Sequence, residues 1–116
     1  MVNVYSPSDP DRPDLVELAI DTLGNLARNQ ILRHIAINPE TYFGKIRQAA
    51  PGINPNTLSR HLRHLENAGL VTVDLPPAER KGRSPRYTTN PDQLAILFNA
   101  WFLYLNASLS PTRPIT

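Results

Sequence analysis

The feature that most narrows the fold of this chain is the run Asn54-Pro55-Asn56-Thr57-Leu58-Ser59-Arg60-His61-Leu62-Arg63-His64-Leu65-Glu66-Asn67-Ala68-Gly69-Leu70-Val71. Asn54 is a strong helix N-cap, because its side-chain oxygen accepts from the first free backbone N–H groups. Pro55 suits the next position, where its missing N–H costs nothing. Gly69 supplies a natural stop. At about 100° per residue, Leu58, Leu62 and Leu65 fall within roughly 60° of one another and define a core face. Asn56, Arg60, Arg63 and Asn67 lie opposite, flanked by Thr57, Ser59 and His64, and Glu66 is the only acid in the helix. A face that is polar only because water demands it is the competing reading, but solvated helices mostly mix Glu with Lys.

Around this helix the punctuation is regular. Three Asn-Pro pairs, at 38–39, 54–55 and 90–91, predict helix starts near residues 39, 55 and 91. Upstream, residues 13–23 carry Leu15, Leu18, Ala19, Thr22 and Leu23 at helical spacing and end at Gly24. Asn25 can cap a second helix to about residue 37, with Leu26, Ile31, Leu32 and Ile35 on its buried side. A third spans 39–50 and is broken by Pro51-Gly52. In it Ile46 and two alanines permit close packing on Leu58 and Leu62, and the turn 51–54 has the length of a helix-turn-helix turn. Residues 70–74 alternate as a short strand, and 86–89 form the return strand of a hairpin. The last helix runs over 91–109. The predicted fold is therefore mainly α with a small β-hairpin wing: a winged helix-turn-helix of five helices, dimerising through its terminal helices. One domain spans 13–109, and residues 1–12 and 110–116, rich in Pro, Ser and Asp, read as disordered tails.

A chain of 116 residues can bury one modest core. The absence of cysteine removes disulfides, thiolate metal sites and thiol nucleophiles together and fits a cytoplasmic location. No apolar run approaches the roughly 20 residues of a membrane span, and no signal peptide is evident. No nucleophile–base pair, phosphate-binding Gly loop or metal-ligand cluster appears, so a non-enzyme without metal or cofactor is expected.

The net charge of +2 says little, but its distribution says more. Residues 1–39 hold three Arg against five acids, whereas residues 40–86 hold eight basic side chains against four acids. Positive charge concentrated in mid-chain attracts a polyanion. Asn can pair with adenine through both amide atoms, and Arg can fork onto guanine. Asn56, Thr57, Ser59 and Arg60, early in the helix, are assigned to base or close phosphate contacts, with Arg63 and His64 nearer the backbone. Lys45 on the preceding helix belongs to the same surface. Arg80, Lys81, Arg83 and Arg86 on the hairpin can straddle phosphates or enter a minor groove; a merely solvated hairpin is the alternative.

The last helix is apolar nearly all round and must be covered on more than one side. Leu94, Leu97, Phe98, Trp101, Phe102 and Leu105, joined by Leu15 and Leu18, are assigned to a homodimer interface. Two-fold pairing would set two recognition helices about 34 Å apart.

Three segments carry a family resemblance: residues 23–33 (Leu-Gly-Asn-Leu-Ala-Arg-Asn-Gln-Ile-Leu-Arg), residues 57–71, and Gly82-Arg83-Ser84-Pro85-Arg86-Tyr87. Together they resemble the winged helix-turn-helix regulators of the ArsR type over residues 14–109. The resemblance implies homodimeric binding of double-stranded DNA and transcriptional regulation, with repression the expected sense. Many such regulators sense metals through Cys, or through His and Asp on the last helix. Here there is no Cys, and the last helix has neither His nor Glu. His61 and His64 have a possible metal spacing, but two ligands fall short of a site; the effector stays unassigned. A plasmid- or phage-type architectural or replication-control protein, and a winged helix used to bind protein, remain alternatives.

Overall fold

The computed structural model describes residues 14–106. In chain order it has α1 (Asp14–Leu23), α2 (Leu26–Ile37), β1 (Thr41–Tyr42), α3 (Phe43–Ala49), α4 (Pro55–Asn67), β2 (Val71–Val73), β3 (Arg86–Thr89) and α5 (Pro91–Leu105), with a 3-10 turn at Pro77–Glu79. The three strands form one antiparallel sheet in the order β1-β3-β2. Thr41 and Tyr42 pair with Tyr87 and Arg86, and residues 71–73 pair with 89–87. This is the winged helix-turn-helix expected from the sequence: α3 and α4 are its two helices and the β2–β3 hairpin is its wing. The assigned tails at 1–12 and 110–116, and the last turn of the predicted helix 91–109, fall outside the described residues.

Local chemistry explains most boundaries. Asn25, Asn54 and Asn90 accept from the backbone N–H groups of Arg28, Thr57 and Gln93 at 2.9, 2.9 and 3.3 Å, each capping a helix. Gly69 takes φ +79°, which lets Leu70 N–H return to Leu65 O at 3.0 Å and closes α4.

The first Asn-Pro pair behaves differently, and the predicted helix 39–50 is corrected to Phe43–Ala49. Asn38 closes α2 instead of opening α3: its backbone and side-chain N–H groups both reach His34 O, at 2.9 and 3.0 Å. Glu40 then takes φ 61°, and the chain enters β1, an edge strand the sequence reading did not contain.

The core joins α1, α2, α3, α4, the sheet and α5 through Ile31, Ile35, Ile46, Leu58, Leu65, Leu70 and Leu97 among others. Leu26 was expected on the buried side of α2 but is 72% exposed. It lies about 180° around the helix from Ile35, so the face that buries one must expose the other.

The interface assigned to α5 is also divided. Leu97 is fully buried in the chain's own core and leaves nothing for a partner to cover, which corrects its assignment. Leu94, Trp101 and Leu18 pack partly against that same core. Phe98, Phe102 and Leu105, roughly 80–140° around the helix from Leu97, are 63%, 58% and 71% exposed. Leu15 and Ile20 on α1 are exposed as well. Among the described residues no helix is long and apolar enough to cross a membrane.

Candidate nucleic-acid interface

Leu58, Leu62 and Leu65 anchor α4 to the core, as the spacing predicts, and this turns the opposite face outward. Asn56, Ser59, Arg60, Arg63 and His64 are exposed there, with Thr57 half-buried at the helix start. Arg60 Nη2 donates to Thr57 Oγ1 at 3.3 Å, so these two side chains already lie side by side. Lys45 is exposed on α3 together with Arg47 and Gln48. The α4 surface is therefore rich in donors and able to meet both phosphates and base edges.

The four basic side chains of the wing are not equivalent. Arg80 turns inward onto α4: Nη1 and Nη2 meet Glu66 Oε1 and Oε2 at 3.1 and 2.7 Å, and Nε donates to Leu75 O at 2.8 Å. The bonds to Glu66 raise its pKa further, so the guanidinium stays charged. Arg86 sits 4.8 Å from the ring centre of Tyr42, with Nη1 3.4 Å from Glu40 O. Its backbone N–H donates to Asp74 Oδ1 at 2.8 Å and closes the base of the hairpin. Lys81 and Arg83 stand at the exposed tip, either side of Gly82 at φ +73°, and their side chains make no ion pair or hydrogen bond among the described residues.

A second linkage reaches α4 from behind. Arg28 Nε donates to His61 Nδ1 at 3.3 Å, and its Nη1 bonds the Asp21 and Thr22 carbonyls at the end of α1. Burial, then the nearby charges of Arg28, Arg60 and His64, lower the His61 pKa. His61 is thus a neutral acceptor within the fold, while His64 faces solvent. Among the described residues no group of three or more His, Cys, Asp or Glu side chains could hold a metal ion.

Sequence reasoning missed Arg28, Glu66 and Tyr42. For Glu66 a signal existed: a lone acid on an otherwise basic helix needs a partner. For the Arg28–His61 and Tyr42–Arg86 contacts no local signal existed, since each spans 33 or more positions.

This geometry agrees with comparisons to known proteins. The helix-turn-helix domain family matches residues 23–74, from the end of α1 through β2. Three solved structures share the fold. The reduced form of the transcriptional regulator YodB from B. subtilis superposes with a TM-score of 0.54 at 21% identity, over 84% of this chain and 94% of that one. A crystal structure of MarR gives 0.51 at 17% identity, over 83% and 75%. A MarR-family transcriptional regulator from Silicibacter pomeroyi gives 0.51 at 20% identity, over 88% and 69%. No curated protein matches the sequence.

Proposed function

We propose that this helix-turn-helix protein is a sequence-specific, double-stranded-DNA-binding transcriptional regulator, acting as a homodimer and most simply by repression. The observation that carries the reading is α4 itself, with its leucine face buried and its Asn, Thr, Ser and Arg face open. The only acid on that helix, Glu66, is neutralised by Arg80. A groove-reading helix needs exposed forked and amide donors with no uncompensated carboxylate beside the phosphates. The unpaired Lys81 and Arg83 supply backbone contacts on the flank. Regulators of this fold, including those named above, make transcriptional control the natural use of such a surface, and the segments resembling the ArsR type point the same way.

Homodimerisation is supported by Phe98, Phe102 and Leu105 on α5 with Leu15 and Ile20 on α1, a large exposed apolar surface for one small domain. The two helices pack together within the chain, so these residues are offered by one unit.

The decisive experiment is selection of bound duplexes from a random DNA pool at about 0.15 M salt. Enrichment of an inverted repeat with half-sites about 10 bp apart is the expected result. Binding without enrichment would replace regulation by an architectural role, and absence of binding would overturn the DNA reading in favour of a protein partner.

A further inference from the structure

Among the described residues one ion pair, Glu66–Arg80, joins the wing of this protein to its recognition helix. Glu66 lies in the last turn of α4 and Arg80 at the end of the 3-10 turn that opens the wing loop, 14 positions later. The two carboxylate oxygens meet two guanidinium nitrogens at 2.7 and 3.1 Å, and the third nitrogen, Nε, is held by Leu75 O at 2.8 Å. Both side chains are about three-quarters shielded, with 23% and 27% of their surface exposed. A fork-on-fork pair of this kind fixes direction as well as distance, which a lysine in the same place would not do. Arg80 N–H also bonds Pro77 O at 3.4 Å, and Arg80 O accepts from Arg83 N–H at 3.0 Å. The clamped residue is thus built into the same turns that set the tip carrying Lys81 and Arg83.

We propose that Glu66 and Arg80 are positioning residues, a clamp that holds the wing tip at a set distance from α4 so that Lys81 and Arg83 reach phosphate while α4 lies in the groove. The inference rests on the DNA-binding reading above and removes Arg80 from the set of DNA contacts. It makes a prediction opposite in sign to simple electrostatics. Glu66 is an acid on a helix that approaches a polyanion, so neutralising it should on charge alone tighten DNA binding and steepen the salt dependence. It should also relieve an unfavourable carboxylate at a helix C-terminus. If the clamp positions the wing, the same substitution weakens binding, because the loop must then be immobilised on the DNA.

The test compares wild type, Glu66→Gln and Arg80→Gln on the duplex enriched by selection, each also in an Arg83→Ala background. Glu66→Gln is expected to bind roughly three- to tenfold more weakly, the cost of re-ordering a few side chains, with unchanged thermal stability. In the Arg83→Ala background the loss should largely vanish, since a misplaced tip without its arginine has little left to lose. The swap Glu66→Arg with Arg80→Glu should restore most of the affinity. Equal or tighter binding by Glu66→Gln, or the same loss with and without Arg83, would overturn the clamp.

Amide hydrogen exchange on the DNA-free protein decides the point independently. Faster exchange at Glu79 and Arg83, with the α4 core amides unchanged, is expected for Glu66→Gln; unchanged wing amides would refute the clamp. If wild type binds no duplex, the regulator reading fails, and the exchange measurement still rules on the clamp.

Discussion

Truncating Phe102 and Leu97 separates the two sides of α5, because these residues sit five positions apart in sequence yet face opposite tasks. Phe102 is 58% exposed and Leu97 fully buried. A covered phenylalanine buries about 150–250 Å², so the part a partner could still cover is about 90–145 Å² in each copy. At about 25 cal/mol per Å² that is roughly 2–4 kcal/mol per copy. A two-fold interface loses it twice, although area converts incompletely into affinity and alanine keeps one methyl. Phe102→Ala should therefore cost about 3–4 kcal/mol of dimer free energy, raising the dimer Kd by two to three orders of magnitude. The folded chain itself should be barely affected. Leu97→Ala opens a cavity in the core, which costs about 2–5 kcal/mol of folding stability, or a fall in Tm of roughly 10 °C or more. Sedimentation equilibrium across about two decades of micromolar concentration, paired with thermal melts, reads both effects. A wild type that stays monomeric throughout would refute the interface. So would Phe102→Ala that dimerises like wild type, or one that melts as early as Leu97→Ala.

The division of labour between helix and wing is testable in the same way. Arg60→Ala should cost about 1–3 kcal/mol on the enriched sequence and little on random DNA. Arg83→Ala should weaken both alike and lower the salt slope by about 1. Filter binding or anisotropy on both duplexes decides, and equal losses for the two variants would sink the assignment. His61 gives a pH signature. Its folded-state pKa is lowered, so the unfolded chain takes up the proton first as pH falls. Stability from this residue is complete above the ordinary imidazole value of 6.5 and is lost as pH drops from there through the lowered value. Denaturant midpoints between pH 5 and 8 should therefore fall on acidification, less steeply in His61→Gln; identical profiles would contradict the lowering of the His61 pKa by burial and its cationic neighbours. Gly69→Ala should destabilise by about 1–2 kcal/mol, because φ is +79° and the added carbon would sit 3.3 Å from Gln93 Cγ. An unchanged Tm would refute it.

What was legible in the sequence was whatever acts over one or two helical turns. Asn54 and Asn90 cap helices through bonds to residues three positions on, so the dipeptide alone announces them. Leu58, Leu62 and Leu65 set their own face by spacing. Asn38-Pro39 reads identically but is used to end α2, because an asparagine can serve either end of a helix and only the surrounding sheet decides. The strand β1 is two residues long and is defined by pairing with residues 86–87, more than 40 positions away. No local pattern carries that. In α5 nearly every position is apolar, so periodicity cannot tell the stripe that meets the chain's own core from the one left open. That is why spacing alone groups Leu97 with Phe98, its neighbour in sequence, although one is buried and the other 63% exposed.

The same limit governs the charge pattern, and it changes how the interface works. Four cations in the wing suggested four contacts to phosphate, yet two of them bind the protein. Arg80 ties the entry of the loop to α4 through Glu66, and Arg86 ties its exit to β1 through the Tyr42 ring and Glu40 O. The loop is fastened at both ends, and only Lys81 and Arg83 between them are free to meet an anion. A charge count thus overstates the cations left free to meet an anion and misses the order they are given. Fewer cations held at set positions relative to α4 lose less freedom on binding than four on a loose loop. If α4 reads the groove as proposed, they also bring their charge to phosphates at one fixed spacing from the bases that Asn56 and Arg60 would face. On the clamp reading, the charges turned away from the groove are what give the remaining ones a register.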